Sequence, residues 1–378
     1  MKAQGPLQGV KVIEFVGLGP APFCAMHLAD LGAEVIRIDR PGAMGGGASE
    51  VLARGRRSAS FNLKKPESLQ ACLALVKQAD ILLEGFRPGV MERLGLGPEV
   101  CLKANPKLVF GRMTGWGQSG PLAHAAGHDL NYIALTGALE AIGPKEKPVP
   151  PLNVVGDFGG GSLYLATGVL AALLHARETG EGQVVDTAIV DGATHLMAAV
   201  HQLQAMGLWT GARGENLLDG GAPFYDCYEC ADGKFVSIAP LEPEFYAILV
   251  EKLELGPELE LAKQYDATTW PHMRTMFEKT FKAKPRAHWD ELLEGSDACY
   301  APVLTTQEAA EHPHMKARGA FGTAENVLQP EAAPRFSLTP ASMGQPGSKP
   351  GEDTTAILSE WGLSDDQISD LKDAEAIV

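Results

Sequence analysis

The chain has 378 residues, enough for two domains at about 100–200 residues each. Hydrophobic residues make up 45% of it and charged residues 21%, an ordinary globular composition that excludes a wholly disordered or fibrous protein. Lys and Arg number 32 against 47 Asp and Glu, and the formal net charge of −15 disfavours nucleic acid or anionic membrane as a partner. A phosphate-bearing ligand would need a local basic patch. Six cysteines with no charged-then-apolar leader predict a reducing, cytoplasmic setting without a disulfide framework.

In chain order, Val10 to Val16 reads as a strand, followed by a Gly/Pro turn, a helix from about Pro22 to Leu31 and a second strand from Glu34 to Ile38. That is a βαβ unit. A helix near Leu69–Gln78, the apolar Ile81–Leu83 and Leu108–Phe110 after the Asn105-Pro106 breaker continue the alternation, which predicts an α/β fold with a parallel sheet. Leu163 to Ala176 is too short for a membrane span of about 18 apolar residues and reads as a core helix. Phe224–Cys230, the Asp232-Gly233 turn and Phe235–Ile238 read as a β-hairpin opening a smaller α+β domain. The predicted organisation is a large domain over 1–200, a linker at 201–224, the small domain at 225–328, a Pro-rich linker at 329–350 and C-terminal helices over 351–378.

Gly17-Leu18-Gly19 after a strand, with Asp39 closing the next strand, imitates a dinucleotide fingerprint, but the third glycine is missing and Pro20 and Pro22 remove amide donors from the loop. The cluster Arg54, Arg56, Arg57, Lys64 and Lys65, with Arg37, Arg40, Arg87 and Arg93 nearby, is either a solvated face or a site for an anion. In Gly127–Tyr132, His128 at a helix N-terminus would be held neutral and could act as a base; alternatively Asp129 is the helix cap and His128 merely precedes it. Asp157 precedes three glycines and a long apolar helix. It is either an N-cap or a carboxylate beside backbone amides of Gly159, Gly160 and Gly161 that could hold an oxyanion. His124, Cys227-x-x-Cys230 and His312-Pro313-His314 lack partners at metal-ligand spacing, so no metal site is expected. Gly117–Gly120 has the wrong spacing for a nucleophile elbow.

The segments Leu7–Glu14, Leu31–Asp39, Arg87–Val90, Met113–Gln118, Gly127–Tyr132, Gly156–Ser162 and Pro350–Glu352 together resemble the class III coenzyme A transferase superfamily, and within it the α-methylacyl-CoA racemase branch, over essentially the full chain. The resemblance implies a Rossmann-like large domain, a small domain and an interlocked homodimer. In transferases of this superfamily the position resembling Asp157 is a nucleophile; in the racemases, which carry histidine where this chain has His128, the two residues act as paired bases. It further implies a two-base transfer of the α-proton of a 2-methylacyl-CoA through an enolate, with donors to the enolate oxygen worth roughly 3–4 kcal/mol each. Glu242, or Glu244 beside it, resembles the acid that orients the histidine.

By the same resemblance the CoA portion of the substrate falls to Arg40, Arg54 and Arg57, to Phe61, Asn62, Leu63 and Lys64, to Gly85, Phe86 and Arg93, and to Gly127, Asp129, Leu130, Asn131 and Tyr132. No cofactor is implied beyond the CoA of the substrate itself. Two alternatives remain from the sequence: a CoA-transferase acting through Asp157, and a non-catalytic CoA-binding protein.

Overall fold

A six-stranded sheet is built from β1 (Lys11–Phe15), β2 (Glu34–Asp39), β3 (Arg56–Ser60), β4 (Ile81–Glu84), β5 (Val109–Thr114) and β6 (Gln183–Ala188); β1, β2, β4 and β5 are largely apolar runs buried on both faces, whereas β3 is rich in Arg and Ser and the edge strand β6 is largely exposed up to Asp186. The computed structural model describes residues 5–15, 17–209 and 211–378. Val16, the last residue of the first expected strand, and Thr210, inside the expected first linker, lie outside these. All strands pair in parallel in the order β3-β2-β1-β4-β5-β6, so the direction of strand addition reverses between β1 and β4. In such sheets ligands bind beyond the carboxyl ends of the strands at that reversal.

Helices cover both faces of this sheet. They are α1 (Pro20–Asp30), α2 (Pro66–Val76), α3 (Val90–Arg93), α4 (Pro98–Ala104), α5 (Asp129–Leu135), α6 (Leu163–Thr179) and α7 (Ile189–Leu196). On one face α1 and α6 bury Leu28, Leu165, Val169 and Leu173 against Val12, Val35, Ile81 and Val109. The continuous run Val154–Thr179 has the length and mean hydropathy, 1.3, of a membrane span. Its role in the fold is narrower than a core helix, because Leu163 and Leu174 on the other face of α6 are exposed.

The chain divides into two units, the first taking residues up to Thr136, Leu152–Leu196 and His314–Val378, the second Gly137–Pro151 and Met197–Pro313. Within the second unit lie α8 (Ala198–Ala205), β7 (Asp226–Glu229), β8 (Phe235–Ile238), α9 (Pro243–Lys252), α10 (Trp270–Lys282), α11 (Arg286–Leu293), β9 (Tyr300–Pro302) and α12 (Thr306–Glu311). Phe224, Tyr228, Tyr246, Phe277, Phe281 and Trp289 form its aromatic core. The stretch expected as a linker at 201–224 is folded: its start belongs to α8, and buried Asn216 donates to Asp219 at 2.7 Å to close a turn.

The chain re-enters the first unit through α13 (Pro313–Arg318) and the hairpin β10 (Phe321–Ala324) and β11 (Val327–Pro330). Residues 331–350 then run as an extended strap, after which α14 (Thr354–Glu360) and α15 (Asp365–Asp373) bury Ile357, Trp361 and Ile368 on the second face of the sheet.

Two of the clustered arginines, Arg54 and Arg37, anchor this return rather than a ligand, and a third, Arg56, is spent on a buried ion pair. Arg54 is 2% exposed, donates to the Asp30 carboxylate at 2.5 and 3.1 Å, and reaches the Pro330 carbonyl at 2.6 Å. Arg37 pairs with Asp39 at 2.7 Å and donates to the Ser348 carbonyl at 3.3 Å, while buried Arg56 pairs with Glu14. Asp39 also accepts from the Ser58 hydroxyl at 2.6 Å and is buried, which takes it away from a ribose. Truncating one partner of a buried ion pair leaves the other charge uncompensated, at a cost of about 3–5 kcal/mol. Arg54→Ala is therefore expected to lower the free energy of unfolding, read from a denaturant titration, by about 3–5 kcal/mol.

Candidate active site

Asp157 does not cap α6. It sits inside a π-helical run, Val154–Ser162, that leads directly into α6. A π-helix pairs each amide with the carbonyl five residues back, as Phe158 to Asn153 at 3.1 Å and Leu163 to Phe158 show at its two ends. The amides of Gly159, Gly160 and Gly161 are thus committed to the helix itself, which removes them as oxyanion donors. What approaches this glycine run is the protein's own backbone: a Cβ on Gly160 would lie 2.7 Å from the Ala193 amide of α7.

The first amides of a helix have no partner within it. Here they are capped from another segment, for the Asp129 carboxylate accepts from the Asp157 amide at 2.6 Å and also from Gly156. A Cβ on Gly156 would fall 2.2 Å from that carboxylate oxygen, so only glycine admits the contact. His128, one residue earlier, is the N-cap of α5, and its amide donates to the Asn131 side chain at 3.1 Å. Asp129 is therefore the first residue of α5 and caps the π-helix, not α5.

The tie brings His128 and Asp157 into electrostatic contact. Burial raises the pKa of the Asp157 carboxyl, and the Asp129 charge raises it further; a hydrogen bond from Asn153 and the charge of His128 act in the opposite direction. Burial likewise raises Asp129, against the two amides it accepts. On the far side Gly19, at φ 68°, lets the loop after β1 approach Asp157: a Cβ there would sit 3.2 Å from its Oδ2. The glycine pair that imitates a nucleotide fingerprint thus backs a carboxylate at the sheet's reversal point, where Gly17 also lies against Gly85 at the end of β4.

Tyr132 closes the His128 loop by donating its hydroxyl to the Gly127 carbonyl, and its ring stands edge-on to Trp116 at 4.7 Å. Trp116, Ala126, Asn131, Ala134 and Leu135 line an open groove of about 430 Å³ within one turn of His128. Neither Trp116 nor Asn153 was singled out from sequence as a site residue; the only signal was the Met113–Gln118 segment.

The other expected ligand contacts divide into two sets. Arg40, Lys64, Arg87 and Arg93 are exposed, and the first three follow the carboxyl ends of β2, β3 and β4. Asn62, Leu63, Gly85 and Phe86 are half-buried beside them, the Phe86 amide held by Glu84 at 2.7 Å. Leu130 is exposed on α5. Against expectation, Arg54 is consumed by Asp30, and Arg57 spends its guanidinium on Glu34 and Glu360, both at 2.8 Å. Phe61 is wholly buried, with its ring in the core.

In the second unit Glu242 is the N-cap of α9 yet makes no side-chain capping hydrogen bond, and its exposed carboxylate faces solvent; Glu244 lies in the first turn and is also exposed. His312 pairs with Glu294 at 2.8 Å, and among the described residues no three His, Cys, Asp or Glu side chains converge as a metal site.

Comparison with known proteins finds that the model of CoA-transferase family III matches residues 7–354. The chain belongs to CoA-transferase family III. Within the family it is 45% identical to the α-methylacyl-CoA racemase of Mus musculus over 97% of this chain and 96% of that one. It is 44% identical to the α-methylacyl-CoA racemase of Homo sapiens over 98% and 97%. The crystal structure of a CAIB/BAIF family protein from Brucella suis shares the fold, with a TM-score of 0.81 at 24% identity, covering 95% of this chain and all of that one (100%). Membership of CoA-transferase family III implies an acyl-CoA substrate.

Because the Asp129 charge helps to raise the Asp157 carboxyl, Asp129→Asn, which keeps an acceptor for the amides, is expected to lower that pKa. The acidic limb of kcat/KM, in the direction where Asp157 must be ionised to accept a proton, then moves to lower pH. An acidic limb unmoved or shifted upward in a pH-rate profile contradicts the electrostatic coupling.

Proposed function

We propose that the chain is a racemase or epimerase that inverts the α-carbon of 2-methylacyl-CoA thioesters by two-base proton transfer. The observation that carries this is the Asp129 tie, which holds the imidazole of His128 and the raised carboxyl of Asp157 in one site. The 44–45% identity to the mouse and human racemases supports it. A thioester α-proton is weakly acidic, so both a base and a proton donor of moderated pKa are needed. One of His128 and Asp157 takes the α-proton, leaving the electron pair in an enolate; the other returns a proton to the opposite face. With the Gly159–Gly161 amides engaged in the π-helix, the donors to the enolate oxygen come from outside that run. Glu242 is proposed to orient the imidazole from a second copy of the chain. The reaction draws only on side chains and substrate, and the proposed cytoplasmic setting draws on six free thiols.

Self-association is part of the proposal. In the first unit Leu135, Leu163, Leu174, Val184 and Leu196 are all exposed, an apolar surface of the kind that a second copy covers. Light scattering is expected to give twice the chain mass of 40.1 kDa.

The test is to incubate one enantiomer of a 2-methylacyl-CoA with the protein in D2O. Deuterium is expected at the α-position while the enantiomers drift toward equality, and His128→Ala and Asp157→Ala are each expected to lower racemisation by at least about 10³-fold. Absence of exchange, together with a hydroxylamine-trappable acyl group on Asp157 when a free acid is supplied, would establish the transferase alternative instead.

A further inference from the structure

The carboxylate of Glu242 has no hydrogen bond or ion pair among the described residues, so its position is set wholly by its backbone. That backbone is held from one side by two consecutive residues. The side-chain amide of Gln264, itself 2% exposed, donates to the carbonyls of Pro240 at 2.9 Å and Leu241 at 3.0 Å. The Tyr265 hydroxyl donates to the same Leu241 carbonyl. Both holders are fixed in turn by the core of the second unit: the Trp270 indole donates to the Gln264 carbonyl at 3.0 Å, and Phe224, fully buried, stands edge-on to the Tyr265 ring at 5.4 Å and to Trp270 at 6.0 Å.

The arrangement is more than packing requires. Gln264 spends both amide hydrogens on the two carbonyls ahead of Glu242 while its own oxygen remains buried and without a partner. An unsatisfied buried acceptor is costly, and such a cost is retained where geometry matters. Tyr265 is 53% exposed, so its hydroxyl could be hydrated, yet it is aimed at the backbone. The charge of Glu242 reaches that hydroxyl and the Cys299 thiol, adding to burial in raising both.

We infer that Gln264 and Tyr265 are positioning residues that act through Glu242, fixing the peptide that precedes it so that its unpartnered carboxylate is presented in one orientation. The inference rests on the role given to Glu242 above. A misplacement of about 1 Å can cost as much as 10²-fold in rate, and removing one of two bonds to the Leu241 carbonyl should cost part of that.

The test is a double-mutant cycle on the full-length protein, with racemisation of a 2-methylacyl-CoA and thermal unfolding read in parallel. Glu242→Gln is expected to lower kcat about 10²-fold, and Tyr265→Phe, which removes one exposed hydroxyl, about 5–10-fold with KM within about twofold and the unfolding midpoint unchanged. Combined with Glu242→Gln, Tyr265→Phe should add less than about a twofold further loss. Gln264→Met, which keeps the volume and removes both donors, should follow the same kinetic pattern and also lower the unfolding midpoint, because the Pro240 carbonyl loses its donor. If Glu242→Gln turns over like the parent, the role of Glu242 falls and this inference with it. If Glu242→Gln is impaired but Tyr265→Phe is not, or if their losses multiply, the role of Glu242 stands and the positioning inference alone is overturned.

Discussion

One contact organises the site: the carboxylate of Asp129 on the amides of Gly156 and Asp157. It caps a helix from outside that helix's own chain segment, and so it joins the loop after β5 to the π-helical run that carries Asp157. His128 is the residue next to the capping acid, and Asp157 is one of the capped residues. The contact that positions the pair also tunes it, since bringing a second carboxylate close to Asp157 adds to burial in raising its pKa. One residue thus serves both positioning and pKa, and the absence of a side chain at residue 156 is what makes both possible.

The sheet supplies the place for this contact. With the strand order reversing between β1 and β4, the loops after those strands diverge and leave a crevice. Gly17, Gly19 and Gly85 line that point, and the wide π-helical turn brings the Asp157 carboxyl against Gly19. Helices of this kind concentrate at functional sites because they cost hydrogen-bond geometry that ordinary packing would not surrender. The Phe23–Phe158 stack, with centroids 4.4 Å apart, locks the run against α1.

Much of the fold was legible in the sequence, because buried parallel strands leave continuous aliphatic runs, such as Ile81–Leu83, between Gly and Pro breakers. The pair proposed as bases was legible as residue types, His128 beside a glycine and Asp157 before three more. Their surroundings were not. Periodicity cannot distinguish a π-helical turn from the start of an α-helix, so the glycines after Asp157 read as free amide donors when they serve backbone packing against α7. Sequence clustering of Arg54, Arg56 and Arg57 looked like an anion site because one-dimensional proximity hides the acids, Asp30, Glu14 and Glu34, that β2, α1 and β1 bring beside them. The strap at 331–350 looked like a free linker because its anchors, Arg37 and Arg54, lie some 300 residues away.

In the proposed mechanism two different bases serve opposite faces of one carbon. The most direct measurement is α-proton exchange with D2O from each separate enantiomer of a 2-methylacyl-CoA, in His128→Ala and in Asp157→Ala. Exchange without inversion is expected, of one enantiomer in the first variant and of the other enantiomer in the second. Exchange of the same enantiomer in both variants, or inversion surviving in either, would contradict that mechanism.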